Sequence, residues 1–236
     1  MKSRDPMKLK GVCAAHNGIL AVFSLAVFSG QMYETIIASQ QIGVHDVFCW
    51  QTPGPAKGRL YFWSYLFYLS KYYELLDTVL LVLKKKPLDF LHCYHHSIVP
   101  FSAWLGFCGW FMPIITGSLF NSLVHVVMYY YYMLATLGIS VWWKKYLTVF
   151  QIIQFCSGGA FTATFYVLYF KGVRVVETAG TYSLTFDKGC QGDLHSVLFV
   201  AAVNVSFLVL FCQFYAKAYR KPRASHQLKS NGVKRD

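Results

Sequence analysis

Charge is scarce in this chain. Only 14% of its 236 residues are Asp, Glu, Lys or Arg, against about 25% in an ordinary soluble domain. Acidic residues are rarest, ten against 22 Lys and Arg. With 56% hydrophobic and 18% aromatic residues, too little polar surface remains to cover a water-soluble globule, and disorder is excluded more firmly still. The seven cysteines stand at scattered spacings without a CxxC pair or a Cys/His zinc pattern. Neither a disulfide framework nor a structural metal site is expected, and most of the thiols read as apolar filler. No internal repeat is evident, and the first apolar stretch is too long, and lacks the cleavage pattern, for a removed signal peptide. The formal charge of +12 would suit nucleic acid only if the basic residues formed one continuous face.

They do not, because long apolar runs separate them. A helix crossing a hydrocarbon core of about 30 Å needs about 20 apolar residues. Six such runs are present: Val12 to Ile37, Leu60 to Leu83, Leu88 to Phe111, Ile114 to Leu137, Tyr146 to Phe170 and Leu194 to Ala216. The fold expected is an all-α integral membrane protein of six spans, one transmembrane domain over residues 1–217, with a basic, disordered cytosolic tail over 218–236. Between the runs lie Thr52-Pro53-Gly54-Pro55, Lys84-Lys85-Lys86-Pro87, Met112-Pro113, Trp142-Trp143-Lys144-Lys145 and a mixed loop from Lys171 to Asp193. Placing both termini in the cytosol puts 16 basic residues on the cytosolic side and five on the other, with Lys71 inside a span. This bias sets the orientation and accounts for the high pI without nucleic acid. The cytosolic rim also suits anionic lipid or a phosphate-bearing ligand.

Ionisable groups inside a span cost about 2.5–3.5 kcal/mol each, so they face protein and mark pathways or sites. The second run carries Lys71, Glu74, Asp77 and Thr78. Steps of three and four place Lys71, Glu74 and Thr78 on one side of a helix with Asp77 beside them, where mutual pairing would make them an interhelical staple. The third opens on His92, His95 and His96 at i, i+3 and i+4, aiming three imidazoles at a common space. The fourth adds His125, Met128, Tyr129 and Tyr132 with the same periodicity, while Tyr130 and Tyr131 read as an aromatic seam. The fifth contributes Thr148, Gln151, Gln154 and Phe155, the two amides suited either to interhelical bonding or to orienting a His ring. Asn121, Asn204 and Gln213 read as isolated packing residues.

Two chemistries fit four imidazoles. A metal is one, since di-iron membrane desaturases and hydroxylases use boxes that look like His-x-x-His-His. The inventory is thin for two irons: of eight histidines, His16, His45, His195 and His226 fall outside the cluster. The other is nucleophilic and general acid/base catalysis, in which a His attacks a thioester and neighbouring imidazoles, Tyr or Gln manage protons and oxyanion charge. Cys93 is the competing nucleophile, but it is turned about 100° from His92, away from the shared face. Transport is the non-enzymatic alternative, disfavoured because the polar groups crowd toward one leaflet.

Four motifs in order resemble those of the ELO fatty acid elongases, membrane 3-ketoacyl-CoA synthases of the endoplasmic reticulum: Lys71-x-x-Glu74-x-x-Asp77-Thr78, His92-x-x-His95-His96, His125-x-x-Met128-Tyr129-x-Tyr131-Tyr132 and Thr148-x-x-Gln151-x-x-Gln154-Phe155. The resemblance covers nearly the whole chain. It implies condensation of a long-chain acyl-CoA with malonyl-CoA, releasing CO2 and CoA and giving a 3-ketoacyl-CoA two carbons longer, without metal or redox cofactor. It implies an acyl tunnel enclosed by the spans, with His95 as the acyl-accepting nucleophile, His125 as its partner, and His92 and His96 orienting and shuttling protons. Tyr129, Gln151 and Gln154 would support the rings, and Lys84, Lys85, Lys86, Lys144 and Lys145 would meet CoA phosphates. Expected partners are the two CoA substrates, membrane lipid, a second copy in a homodimer, and the ketoacyl-CoA reductase, dehydratase and enoyl reductase that act next. Family members typically have seven spans, and the Lys8-x-Lys10 segment resembles the stretch just after the first of them, so that first helix is expected to be missing here.

Overall fold

The computed structural model describes residues 5–49, 58–108, 112–178, 181–187, 189, 190 and 192–219. The Thr52-Pro53-Gly54-Pro55 loop and tail residues 220–236 lie outside them. Each apolar run is helical: α1 (Lys10–Ile42), α3 (Arg59–Tyr73) with α4 (Leu75–Leu83), α5 (Phe90–Cys108), α6 (Met112–Leu137), α7 (Lys144–Phe170) and α8 (Leu194–Tyr219). A short α2 (Val44–Cys49) follows α1. Among the described residues α1, α7 and α8 are long and apolar enough by themselves to cross a membrane.

The α1 sequence shows which solvent the bundle faces. Its buried residues are Cys13, His16, Asn17, Leu20, Ser24, Val27 and Gln31, spaced by three, four or seven along one helical face. That inward face carries the polar His16, Asn17, Ser24 and Gln31, while Val12, Ile19, Val22, Leu25 and Ile36 are exposed. A helix in water would reverse this arrangement; in lipid, apolar side chains belong outside and polar ones must find partners within. Gly30 permits the closest approach between helices, since a Cβ there would overlap the Trp63 ring of α3.

The second run is split at Glu74. The Glu74 N–H donates to the Ser70 carbonyl (2.8 Å) and Asp77 N–H to the Glu74 carbonyl (3.0 Å), so the backbone tightens to an i→i−3 bond at the junction. At the far end of α4, Lys85 N–H bonds the Val82 carbonyl and Lys86 N–H the Leu81 carbonyl, with Lys85 at φ 51°. This is a Schellman close, with lysine at the left-handed position usually given to glycine. Pro87 then bars further helix.

Two expectations are corrected. The Lys171–Asp193 loop contains an antiparallel hairpin, β1 (Gly172–Thr178) with β2 (Thr181–Asp187), registered from Gly172↔Asp187 to Thr178↔Thr181; the helical architecture therefore carries one small sheet. The Val, Thr, Tyr and Phe residues of these segments favour extended chain, and the register leaves a two-residue connection. Second, Cys49 and Cys190 form a disulfide. Their 141-residue separation gives no local spacing signal, and only the fold brings the end of α2 to the segment before α8. The bridge is packed with Phe165 and Val197 and shielded by Phe48, Tyr166 and Val200. Asp193 caps α8 by accepting from the Ser196 N–H (2.7 Å) and hydroxyl (2.6 Å), bonds that hold its carboxyl below the usual carboxylate range.

Lateral neighbours run α1, α3 with α4, α5, α8, α7, α6 and back to α1. The ring orders the helices differently from the sequence, because α8 inserts between α5 and α7. This order positions the polar groups of α3 to α6 against one another.

Candidate active site

At the centre is a buried ion pair. Lys71 and Glu74 are each 2% exposed, and Lys71 Nζ donates to Glu74 Oε1 at 2.8 Å. Charges so placed require full compensation, and each receives further partners. Glu74 Oε1 accepts from Ser70 Oγ (3.0 Å) and lies 3.3 Å from His125 Nδ1. Lys71 Nζ donates to Asn121 Oδ1 (3.1 Å), lies 3.4 Å from His125 Nδ1 and sits over the Phe67 ring at 4.3 Å. Asn121 Nδ2 in turn donates to Gln154 Oε1 at 3.4 Å. Lys71 and Glu74 thus pair with each other, and through His125, Asn121 and Gln154 the pair reaches α6 and α7.

The polar residues of α4 point to three other helices. Thr78 Oγ1 is 2.8 Å from His92 Nε2 on α5. Asp77 Oδ1 is 2.7 Å from His16 Nε2 on α1, and Asp77 Oδ2 accepts from the Tyr129 hydroxyl at 2.8 Å. Tyr129 is 1% exposed, and its ring stands edge-on to His125 at 5.4 Å between centroids.

The α5 histidines cluster as their spacing predicts. The His92 and His96 rings are 4.4 Å apart, and His95 and His96 5.1 Å. Asp89 fixes this turn by accepting the His92 N–H at 2.7 Å, an N-cap contact. One turn on, Pro100 lies inside α5 and removes the N–H that His96 C=O would otherwise receive. His95 stands in electrostatic reach of His96, His125, Glu74 and Lys71, and Phe207 of α8 covers its ring at 5.4 Å. Cys93 is exposed, off this face. Gln151 Nε2 reaches Met128 Sδ at 3.6 Å, and Thr148 and Phe155 are buried. Tyr130 stacks on Trp143 while Tyr131 meets the same indole edge-on. Tyr132 packs against both Tyr129 and Tyr131. Lys85, Lys86, Lys144 and Lys145 are exposed and Lys84 half-buried. Among the described residues no three His, Cys, Asp or Glu side chains are arranged to hold a metal ion.

This arrangement offers imidazoles from two helices beside a compensated ion pair, roofed by aromatic rings, and it is carried by a sequence with recognisable kin. Residues 1–227 match the family described as ELO: GNS1/SUR4 family. The chain belongs to that family. Fatty acid elongase sre1 of Dictyostelium discoideum is 39% identical over 235 residues, covering 99% of this chain and 81% of that protein. Fatty acid elongase A of the same organism is 34% identical, covering 98% and 80%. Very long chain fatty acid elongase 7 of Rattus norvegicus is 30% identical, covering 98% and 78%.

Three contributors to this candidate site in the ELO chain are not apparent from the sequence. His16 joins through Asp77, Asn121 joins through Lys71 and Gln154, and Phe207 walls His95. His16 satisfies the criterion that singles out Lys71, an ionisable group in an apolar run; its separation from the other histidines conceals its partner. Asn121 lies one helical turn before His125, on the same face. Phe207 carries no signal, being one of 20 phenylalanines.

Proposed function

We propose that the chain is a fatty acid elongase that condenses a long-chain acyl-CoA with malonyl-CoA to a 3-ketoacyl-CoA, an acyltransferase with no metal or redox cofactor. The observation that carries this reading is the clustering of His92, His95 and His96 on α5, tied to α4 through Thr78, together with His125 of α6 held against the buried Lys71–Glu74 pair, in a chain whose relatives are named elongases.

In the first half-reaction the His95 imidazole attacks the thioester carbonyl. The C–S bond breaks, CoA leaves as thiolate, and the ring proton passes to His92 or His96. In the second, malonyl-CoA loses CO2 and the electron pair of the broken C–C bond becomes an enolate. That carbon attacks the acyl carbonyl, the C–N bond breaks, and the pair returns to His95. His125 stands beside the reacting carbonyl, held by Glu74. Tyr129 gives its single hydroxyl proton to Asp77, so toward any other partner its oxygen can only accept. Gln151 and Gln154 steady α6 through Met128 and Asn121.

The ring order of the helices favours an acyl tunnel within six spans, where each buried methylene gains about 0.8 kcal/mol. The lysines after α4 and at the start of α7 would lie at the cytosolic mouth, ready for CoA phosphates. Oxidation of Cys49 with Cys190, both on segments that the charge bias assigns to the opposite side, supports an endoplasmic reticulum membrane with both termini cytosolic. The single membrane domain over 1–217, the tail, homodimerisation and the downstream enzymes belong to the same proposal.

The test supplies labelled malonyl-CoA and acyl-CoA to the purified protein in detergent. His95→Ala abolishes labelled ketoacyl product and Cys93→Ala retains most of it; the reverse pattern would sink the imidazole nucleophile.

A further inference from the structure

His16 is the fifth histidine drawn into the network and has no part in the mechanism above. It is buried in α1, and α1 supplies none of the residues of the four motifs. Its Nε2 meets Asp77 Oδ1 at 2.7 Å. A carboxylate oxygen only accepts, so Nε2 carries the proton. The ring is fixed from a second side by Tyr73, stacked at 5.2 Å and 27°. Asp77 therefore receives one donor from α1 on Oδ1 and one from α6, the Tyr129 hydroxyl, on Oδ2. With both oxygens engaged the carboxylate plane is defined, and so is the Tyr129 ring that abuts His125.

We propose that His16 is a positioning residue of the condensation reaction: it holds Asp77 so that Tyr129 keeps His125 in register with the α5 histidines. The inference rests on the elongase reading and deepens it. Without the His16 donor, Asp77 has a free oxygen inside an apolar bundle and can rotate to share the Tyr129 proton differently, releasing the ring that packs on His125. Misplacement of about 1 Å far from the bond changes costs on the order of 100-fold in rate. Because His16 is separated from the substrate by Asp77 and Tyr129, its loss acts on turnover and leaves substrate affinity alone.

The experiment measures kcat and KM for acyl-CoA and malonyl-CoA in wild type, His16→Ala, His16→Gln, Tyr129→Phe and the His16→Ala/Tyr129→Phe double variant, with melting temperatures in the same detergent. Expected are at least a tenfold loss of kcat in His16→Ala with both KM values within twofold, recovery to within threefold in His16→Gln, whose amide donates from the same reach, and no further loss when His16→Ala is added to Tyr129→Phe. Wild-type kcat in His16→Ala, a raised KM at constant kcat, or losses that multiply in the double variant overturn the positioning role. If His16→Ala does not accumulate folded, His16→Asn replaces it: its donor falls one methylene short, so the proposal expects a tenfold deficit relative to His16→Gln, and equal turnover overturns it. Wild-type protein that makes no malonyl-dependent product overturns the elongase reading and this inference together, whereas an active wild type with an indifferent His16→Ala overturns this inference alone.

Discussion

Glu74 Oε1 collects an ammonium, a hydroxyl and an imidazole nitrogen within 3.3 Å, and the carboxylate is the counter-charge that lets Lys71 remain inside the bundle. Glu74→Gln keeps the shape and removes the charge, leaving the ammonium uncompensated. A loss of about 3–5 kcal/mol is expected, read as a large fall in melting temperature; unchanged melting would show that the pair is not ionic. Replacing both partners, Lys71→Met with Glu74→Leu, is expected to restore much of the stability, because an apolar pair needs no compensation. Activity stays lost in the double variant, since His125 no longer has its Glu74 contact. The two readouts separate the structural role of the pair from its chemical one.

Among the elements, α4 and α5 carry the most instruction in the fewest residues. Nine residues of α4 present Asp77 to α1 and α6 and Thr78 to α5, and the helix stops at a lysine in the left-handed region. That conformation costs a non-glycine residue about 1 kcal/mol or more. Lys85→Gly is expected to raise stability by about 0.5 kcal/mol, the gain being reduced by the greater freedom of glycine in the unfolded chain. Thermal unfolding checks the sign, and an unchanged KM for acyl-CoA would remove Lys85 from the phosphate contacts. The α5 cluster depends equally on local chemistry, with Asp89 capping its first turn and Pro100 interrupting the backbone ladder one turn beyond His96.

At the scale of the molecule the Cys49–Cys190 bridge ties α2 to the segment before α8, spanning 141 residues of sequence. Closing so long a loop restricts the unfolded chain, and its removal costs on the order of 2–4 kcal/mol. Cys190→Ser is expected to lower the melting temperature accordingly while sparing the α5 histidines. Thiol labelling of denatured protein from membranes should detect Cys49 and Cys190 only after reduction. Labelling without reductant would place those segments in a reducing compartment and reverse the orientation inferred from the lysines.

The apolar runs, the helices they form, the α5 histidine triad and the Lys71–Glu74 pair were legible from residue types and periodicity. In hydrocarbon, helix formation and the cost of a polar group are set by local composition, and spacing along one helix fixes which side chains share its face. The contacts of His16 with Asp77, Asn121 with Lys71, Phe207 with His95 and Cys49 with Cys190 were not legible. Each joins different helices or distant loops, and depends on how the helices are rotated and on α8 lying between α5 and α7. No periodicity along a single chain encodes that order. Sequence alone determined what each helix carries; only tertiary packing decided which of those groups meet.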